Sequence, residues 1–161
     1  MKTLLAAAVA AFAAAPAVAD EIGPQVARWQ AGVVCPNEFG RGSNAANDIS
    51  FIAQTQTVPA VVGMGFGVRA QATLPTGLTG VTIVVDHPPF QAGGPTQQTY
   101  ATSMSGTGLS GFFYRFEEPS EVQPGRWRIS ALSGQTVLYS LDFDVVLPRT
   151  NDGLLRSCGL Q

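Results

Sequence analysis

The sequence predicts an all-β chain: an antiparallel sandwich of about seven short strands behind a cleavable secretory leader. Three observations predict it. Apolar and polar residues alternate with period two in several segments between Val61 and Val145. Gly, Pro, Ser and Asn clusters punctuate those segments. No amphipathic helical pattern separates them, which excludes a parallel βαβ sheet.

The leader comes first. Lys2 supplies a positive start, Leu4 to Ala15 an apolar run, and Ala17-Val18-Ala19 a small-x-small cleavage site. A membrane span needs about 20 apolar residues. This run is shorter and meets Asp20 and Glu21 at once. The expected division is therefore a signal peptide over 1–19 and one domain over 20–161, soluble and not inserted in a membrane. The expected location is the periplasm or the external medium.

Lys2 is the only lysine and leaves with the leader, so arginines alone face eleven Asp and Glu. That mild acidity argues against nucleic acid and anionic lipid, which need clustered positive charge. Cys35 and Cys158 are the only cysteines. In an oxidising compartment such a pair is expected to bond, two free thiols or an intermolecular bridge being the alternatives.

Along the chain, Trp29, Val33 and Val34 suggest a first strand running into Cys35, although Pro24 also permits a helical turn over 24–31. Pro36 to Asp48 reads as loop, and Phe51 to Thr57 alternates weakly. From Val61, the residues Val62, Met64, Phe66, Val68, Ala70 and Ala72 point one way. Gly63, Gly65, Gly67, Arg69, Gln71 and Thr73 point the other. Val81 to Val85 is a β-branched run, expected to be central with both faces covered and to end at Asp86-His87-Pro88-Pro89. Residues 91–111 read as a long loop or hairpin tip. Phe112, Tyr114 and Phe116 alternate with Phe113, Arg115 and Glu117. In the last hairpin Trp127, Ile129 and Ala131 must share the core face with Val137, Tyr139, Leu141 and Phe143. A three-residue loop, Ser133 to Gln135, would pair Trp127 with Leu141 and set Arg126 opposite Asp142.

Four stretches carry a family resemblance: Val62-Val-Gly-Met-Gly-Phe-Gly-Val68, His87-Pro-Pro-Phe90, Glu121-Val-Gln-Pro-Gly-Arg-Trp127 and Leu141-Asp-Phe-Asp-Val145. Their order and spacing resemble the bacterial family catalogued as domain of unknown function 3859, over roughly residues 60–146. The resemblance implies an immunoglobulin-like fold. It brings no known activity and no site residues.

His87 is the only histidine, so any histidine-based triad must use it. Yet no Gly-x-Ser-x-Gly elbow accompanies it, and one histidine does not make the usual metal site. The ordinary reading is a turn or edge histidine. Asp142 and Asp144 are spaced as paired carboxylates can be, but on the expected solvent face, and Glu117, Glu118 and Glu121 border a turn. Asn44, Asn47, Asp48 and Asn151-Asp152-Gly153 offer oxygens without matching the calcium loop. Gly63-Met-Gly-Phe-Gly67 lacks the dinucleotide spacing. Those glycines instead clear one face of a strand for an aromatic neighbour, a ligand groove on that face being the alternative.

No cofactor, metal or catalytic residue is expected. The leading expectation is an exported, non-enzymatic sandwich module that binds a protein or glycan partner or joins an envelope assembly. His87 and Phe113 are weak binding candidates. One alternative is a small envelope hydrolase using His87. The other is a carbohydrate-binding module with Phe113, Trp29 or Tyr100 as stacking platforms.

Overall fold

A computed structural model describes residues 19–40 and 49–160. The expected leader and the Asn44, Asn47 and Asp48 oxygens therefore lie outside the described residues. Among the described residues nine strands run in order: β1 (Glu21–Ile22), β2 (Val26–Val34), β3 (Thr57–Pro59), β4 (Gly65–Ala72), β5 (Leu78–Asp86), β6 (Gln97–Met104), β7 (Ser110–Arg115), β8 (Gly125–Ser133) and β9 (Thr136–Val146). A five-residue helix α1 (Gly153–Ser157) follows. Two of the strands, β1 and β3, are only two and three residues long.

Two sheets form. One has the order β1-β9-β8-β5-β6, and β3 also joins β9, the only parallel pairing among the described strands. The other is β2-β4-β7. Their facing sides enclose one core. Phe66, Val68 and Ala70 of β4 meet Ile83 and Val85 of β5, Trp127 and Ile129 of β8, and Leu141 and Phe143 of β9, all buried. Trp127 is fully buried at the centre, with Phe66, Tyr114 and Phe116 rings 5.1–5.7 Å away. Its indole N–H donates to the Gln123 carbonyl (2.9 Å), so the one polar atom of the ring is satisfied.

Several expectations need correction. Val62 and Gly63 form a turn and Val62 is exposed, so the strand begins only at Gly65. β5 is central between β8 and β6, yet only one face is buried: Val81, Ile83 and Val85 are buried while Thr82 is exposed. Residues 91–111 are not one long loop, because they contain β6. That strand is polar because it is the exposed edge of its sheet, and an edge needs no apolar alternation.

The final hairpin also differs in register. Its loop is the two residues Gly134 and Gln135, with Ser133 opposite Thr136. Gly134 takes φ +59°, the left-handed turn geometry that glycine adopts without strain. A bulge between Ala131 and Leu132 then skips Leu138, restoring the parity that a two-residue loop alone would break. Trp127 consequently lies opposite Phe143 rather than Leu141, still on the core face. Leu138, expected outward, is fully buried at the bulge. On the outer face Arg128 sits opposite Asp142 and Arg126 opposite Asp144.

Candidate functional site

The two weak binding candidates lie at different places. His87 follows β5 directly. Its Nδ1 donates to the Pro88 carbonyl (2.8 Å), its ring stacks on Phe90 at 4.2 Å, and Trp127 lies 5.1 Å away. It is 4 % exposed, so it is a core ring and not the turn or edge histidine expected. Gly125 makes this junction possible. Its φ of +138° suits glycine, and a Cβ there would come within 3.1 Å of Pro88 Cγ.

An open hollow of about 550 Å³ adjoins His87, bordered by Asp86, Thr96, Arg126 and Arg128. A histidine, a carboxylate and a hydroxyl are the residue types a small hydrolase requires. Their hydrogen bonds do not make one. Nδ1 is committed to Pro88, and Asp86 accepts from Gln97 (2.7 Å). Nε2 is buried with no polar partner among the described residues, so neither Asp86 nor Thr96 is joined to the ring. Asp142 is likewise committed: Arg128 reaches it at 2.6 Å and Arg126 at 3.6 Å. Asp152 caps α1 through the Leu154 and Leu155 amides.

Phe113 is on β7, where it covers the glycine face of β4. A Cβ on Gly67 would approach the Phe113 ring to 2.9 Å, and one on Gly65 would approach Phe39 to 2.3 Å. Phe51 fills the same role over Gly32 and packs 5.5 Å from Phe113. The glycines of β2 and β4 thus admit aromatic rings from a neighbouring strand and from the segment after β2, as their spacing predicts. Cys35 heads that segment and bonds to Cys158 beyond α1.

Beside this covered face lies a second hollow, of about 450 Å³, between the edge strands β6 and β7. It is lined by five aromatic residues: Phe39, Tyr100, Phe112, Phe113 and Tyr114. Tyr100 and Phe112 are 5.0 Å apart and tilted by 45°, not coplanar. Gln98, Arg115, Glu117 and Glu121 supply the polar wall. Glu121 is held by the Tyr114 hydroxyl (3.2 Å) and by the amides of Glu117 (2.6 Å) and Glu118 (3.1 Å). The Tyr100 hydroxyl donates to the Gln98 side-chain carbonyl. Arg115 lies 5.4 Å over the Phe39 ring. Burial first, then the Glu121 carboxylate, hold both the Tyr114 and the Tyr100 hydroxyls above their usual 10.

The fold therefore unites Phe113 with Tyr100 but places Trp29 in a separate hollow beside Gln54 and Gln56. Sequence reasoning missed the convergence of Tyr100 with Glu117 and Glu121. The polar stretch 97–104 carries no strand signal, so nothing in the sequence sets Tyr100 beside β7.

The profile of the family described as domain of unknown function (DUF3859) matches residues 15–145. The chain belongs to this family. The match extends well N-terminal of the 60–146 stretch that carried the resemblance. Among solved structures, the chain is similar to an immunoglobulin-like protein from Pseudomonas aeruginosa, with 24 % identity and a TM-score of 0.58. That similarity covers 80 % of this chain and 98 % of the other, and it shows the immunoglobulin-like fold. No curated protein matches the chain. All four stretches that resembled the DUF3859 family send buried rings to one cluster: Phe66, His87, Trp127 and Phe143.

Proposed function

We propose that this DUF3859 chain is an exported, non-enzymatic binding module that engages its partner through the β6–β7 side of the sandwich. The observation that carries the reading is the aromatic hollow on that side. Tyr100 remains 38 % exposed at its mouth, and β6 beside it offers an uncharged edge. Concave sites lined by aromatic rings with a few fixed polar groups are the usual form of a ligand pocket. Natural sheets protect free edges with charge or proline, and β6 has neither between Gln97 and Met104.

Export is supported by the leader-like start and by the Cys35–Cys158 bond, which suits an oxidising compartment. Among the described residues no helix is long and apolar enough to cross a membrane. The hydrolase alternative loses support because His87, Asp86 and Thr96 share a hollow without any side-chain hydrogen bond joining them.

Site-specific photo-crosslinking in intact cells tests the binding reading. A photoreactive residue at position 100 is expected to give adducts that the same residue at position 29 does not. Equal labelling at both positions, or none at 100, overturns it.

A further inference from the structure

We infer that the hollow between β6 and β7 binds an organic cation, its ammonium group held by ring faces and by the field of Glu117 and Glu121. This rests on the reading of that side as the binding side, and it names the ligand chemistry. The lining is the first reason. Aromatic faces carry negative quadrupole density, and a cation within about 6 Å of a ring centroid is attracted to it. Tyr100 and Phe112 bring such rings to one cavity of about 450 Å³, enough for a small alkylammonium, and Tyr114, its ring buried against Trp127, completes the wall.

Charge is the second reason. Glu117 and Glu121 oppose only Arg115 in the lining, which leaves the hollow net negative. Arg115 is itself placed over a ring, that of Phe39, so one cation already uses this aromatic surface. Beyond burial, Glu121 raises the Tyr100 and Tyr114 hydroxyls and Glu117 that of Tyr100, a field that opposes a phenolate and favours a positive guest.

The third reason separates a cation from a neutral sugar. A sugar needs donors and acceptors aimed at its hydroxyls. Here the Tyr100 hydroxyl is bonded to Gln98, the Tyr114 hydroxyl to Glu121, and Glu121 also takes two backbone amides. The polar groups are largely committed to one another, whereas ring faces and carboxylate charge remain effective without directed bonds. The tilted rings also lack the coplanar strip on which a sugar chain stacks.

The test uses the oxidised protein, amide chemical-shift mapping, choline, its neutral carbon isostere 3,3-dimethylbutanol, and a neutral oligosaccharide. Choline is expected to shift residues 98–100 and 112–121, and the isostere to bind more weakly. Tyr100→Ala is expected to weaken choline binding roughly 2- to 30-fold, the range of cation–π contacts. Glu117→Gln keeps the shape, removes a charge, and is expected to weaken choline while sparing the isostere. Added salt weakens it too. Co-sedimentation with phosphatidylcholine vesicles, against free choline alone, tells a lipid headgroup from a soluble amine. Isostere or oligosaccharide binding as tight as choline overturns the cation assignment. So does the absence of any choline shift. Crosslinks at position 100 surviving either result would leave the binding side standing and remove only the cation.

Discussion

His87 shows how far one residue can depart from its sequence context. Asp-His-Pro-Pro looks like a turn, and the structure instead packs the imidazole against both Phe90 and the core tryptophan, which also touch each other. The proline after it supplies a carbonyl for Nδ1, so the chain that breaks the strand also fixes the ring. His87→Ala is therefore expected to destabilise the fold by about 2 kcal/mol or more through the cavity it leaves. Thermal or urea denaturation measures this, and an unchanged midpoint would place the ring outside the core. Tyr139 gives a pH dependence. Burial alone raises its hydroxyl well above the usual 10. Above pH 10 an unfolded tyrosine loses its proton while the buried one keeps it. The native state then binds more protons, so stability is whole below that pH and declines as pH rises. Tyr139→Phe should lose part of this alkaline decline, Tyr114 retaining the rest. Urea midpoints measured across about pH 9 to 12 would show equal slopes if burial were not the cause.

Strands were legible where one face is buried and illegible where neither is. β8 and β9 alternate because core and outer face alternate along them, whereas in β4 large core residues alternate with small ones covered by Phe39 and Phe113, and the core residues of all three follow the pattern closely. β6 reads as loop because seven of its residues lie outside the core and only Met104 is buried. The hairpin register failed for a related reason: parity demands an even outcome, but a bulge and a three-residue loop satisfy parity equally. The glycine face of β4 was legible as a demand for space, though the residues filling it were not. Gly65→Val is expected to displace Phe39 and cost about 1–3 kcal/mol, with the Tyr114 carbonyl 3.1 Å from the new Cβ. A wild-type melting temperature would mean that the face yields freely. On the outer side of β8 and β9, Asp142 takes both Arg126 and Arg128. Arg126 is half exposed, and pairs of that kind contribute about 0–1 kcal/mol each. Asp142→Asn should therefore lower stability modestly, with a smaller difference from wild type at high salt. A loss that salt does not touch would point to the backbone bonds at Asp142 instead.

At the scale of the molecule, two cysteines with 123 residues of separation in sequence meet at a Cα distance of 5.3 Å. Their number and expected compartment made the bond legible, while the way the fold delivers them did not show. β2 carries Cys35 to the end of its sheet, and α1, with buried Leu155 against the core, presents Cys158 there. Chain-entropy reasoning assigns such a loop about 4–5 kcal/mol. Cys35→Ser with Cys158→Ser is expected to lower stability by about 2–5 kcal/mol in urea titration. A double variant as stable as the oxidised protein would show that packing alone docks α1. The binding side is the part of the molecule least written in the sequence. It arises from residues of β6, β7 and the turn after β7, whose proximity depends on the chain crossing from one sheet to the other at 105–109.

The same bond sets how the molecule bears tension. Cys35 and Cys158 close a covalent ring that contains β3 to β9, leaving only β1 and β2 on the N-terminal side. A pull on the two ends peels β1 from β9 and β2 from β4, then reaches the sulfurs, where the load passes directly from one end of the chain to the other. The hollow and the central strands sit on the slack branch of that path. In a compartment where proteins are stretched between anchors, the fold would keep its binding side intact while its ends are drawn apart.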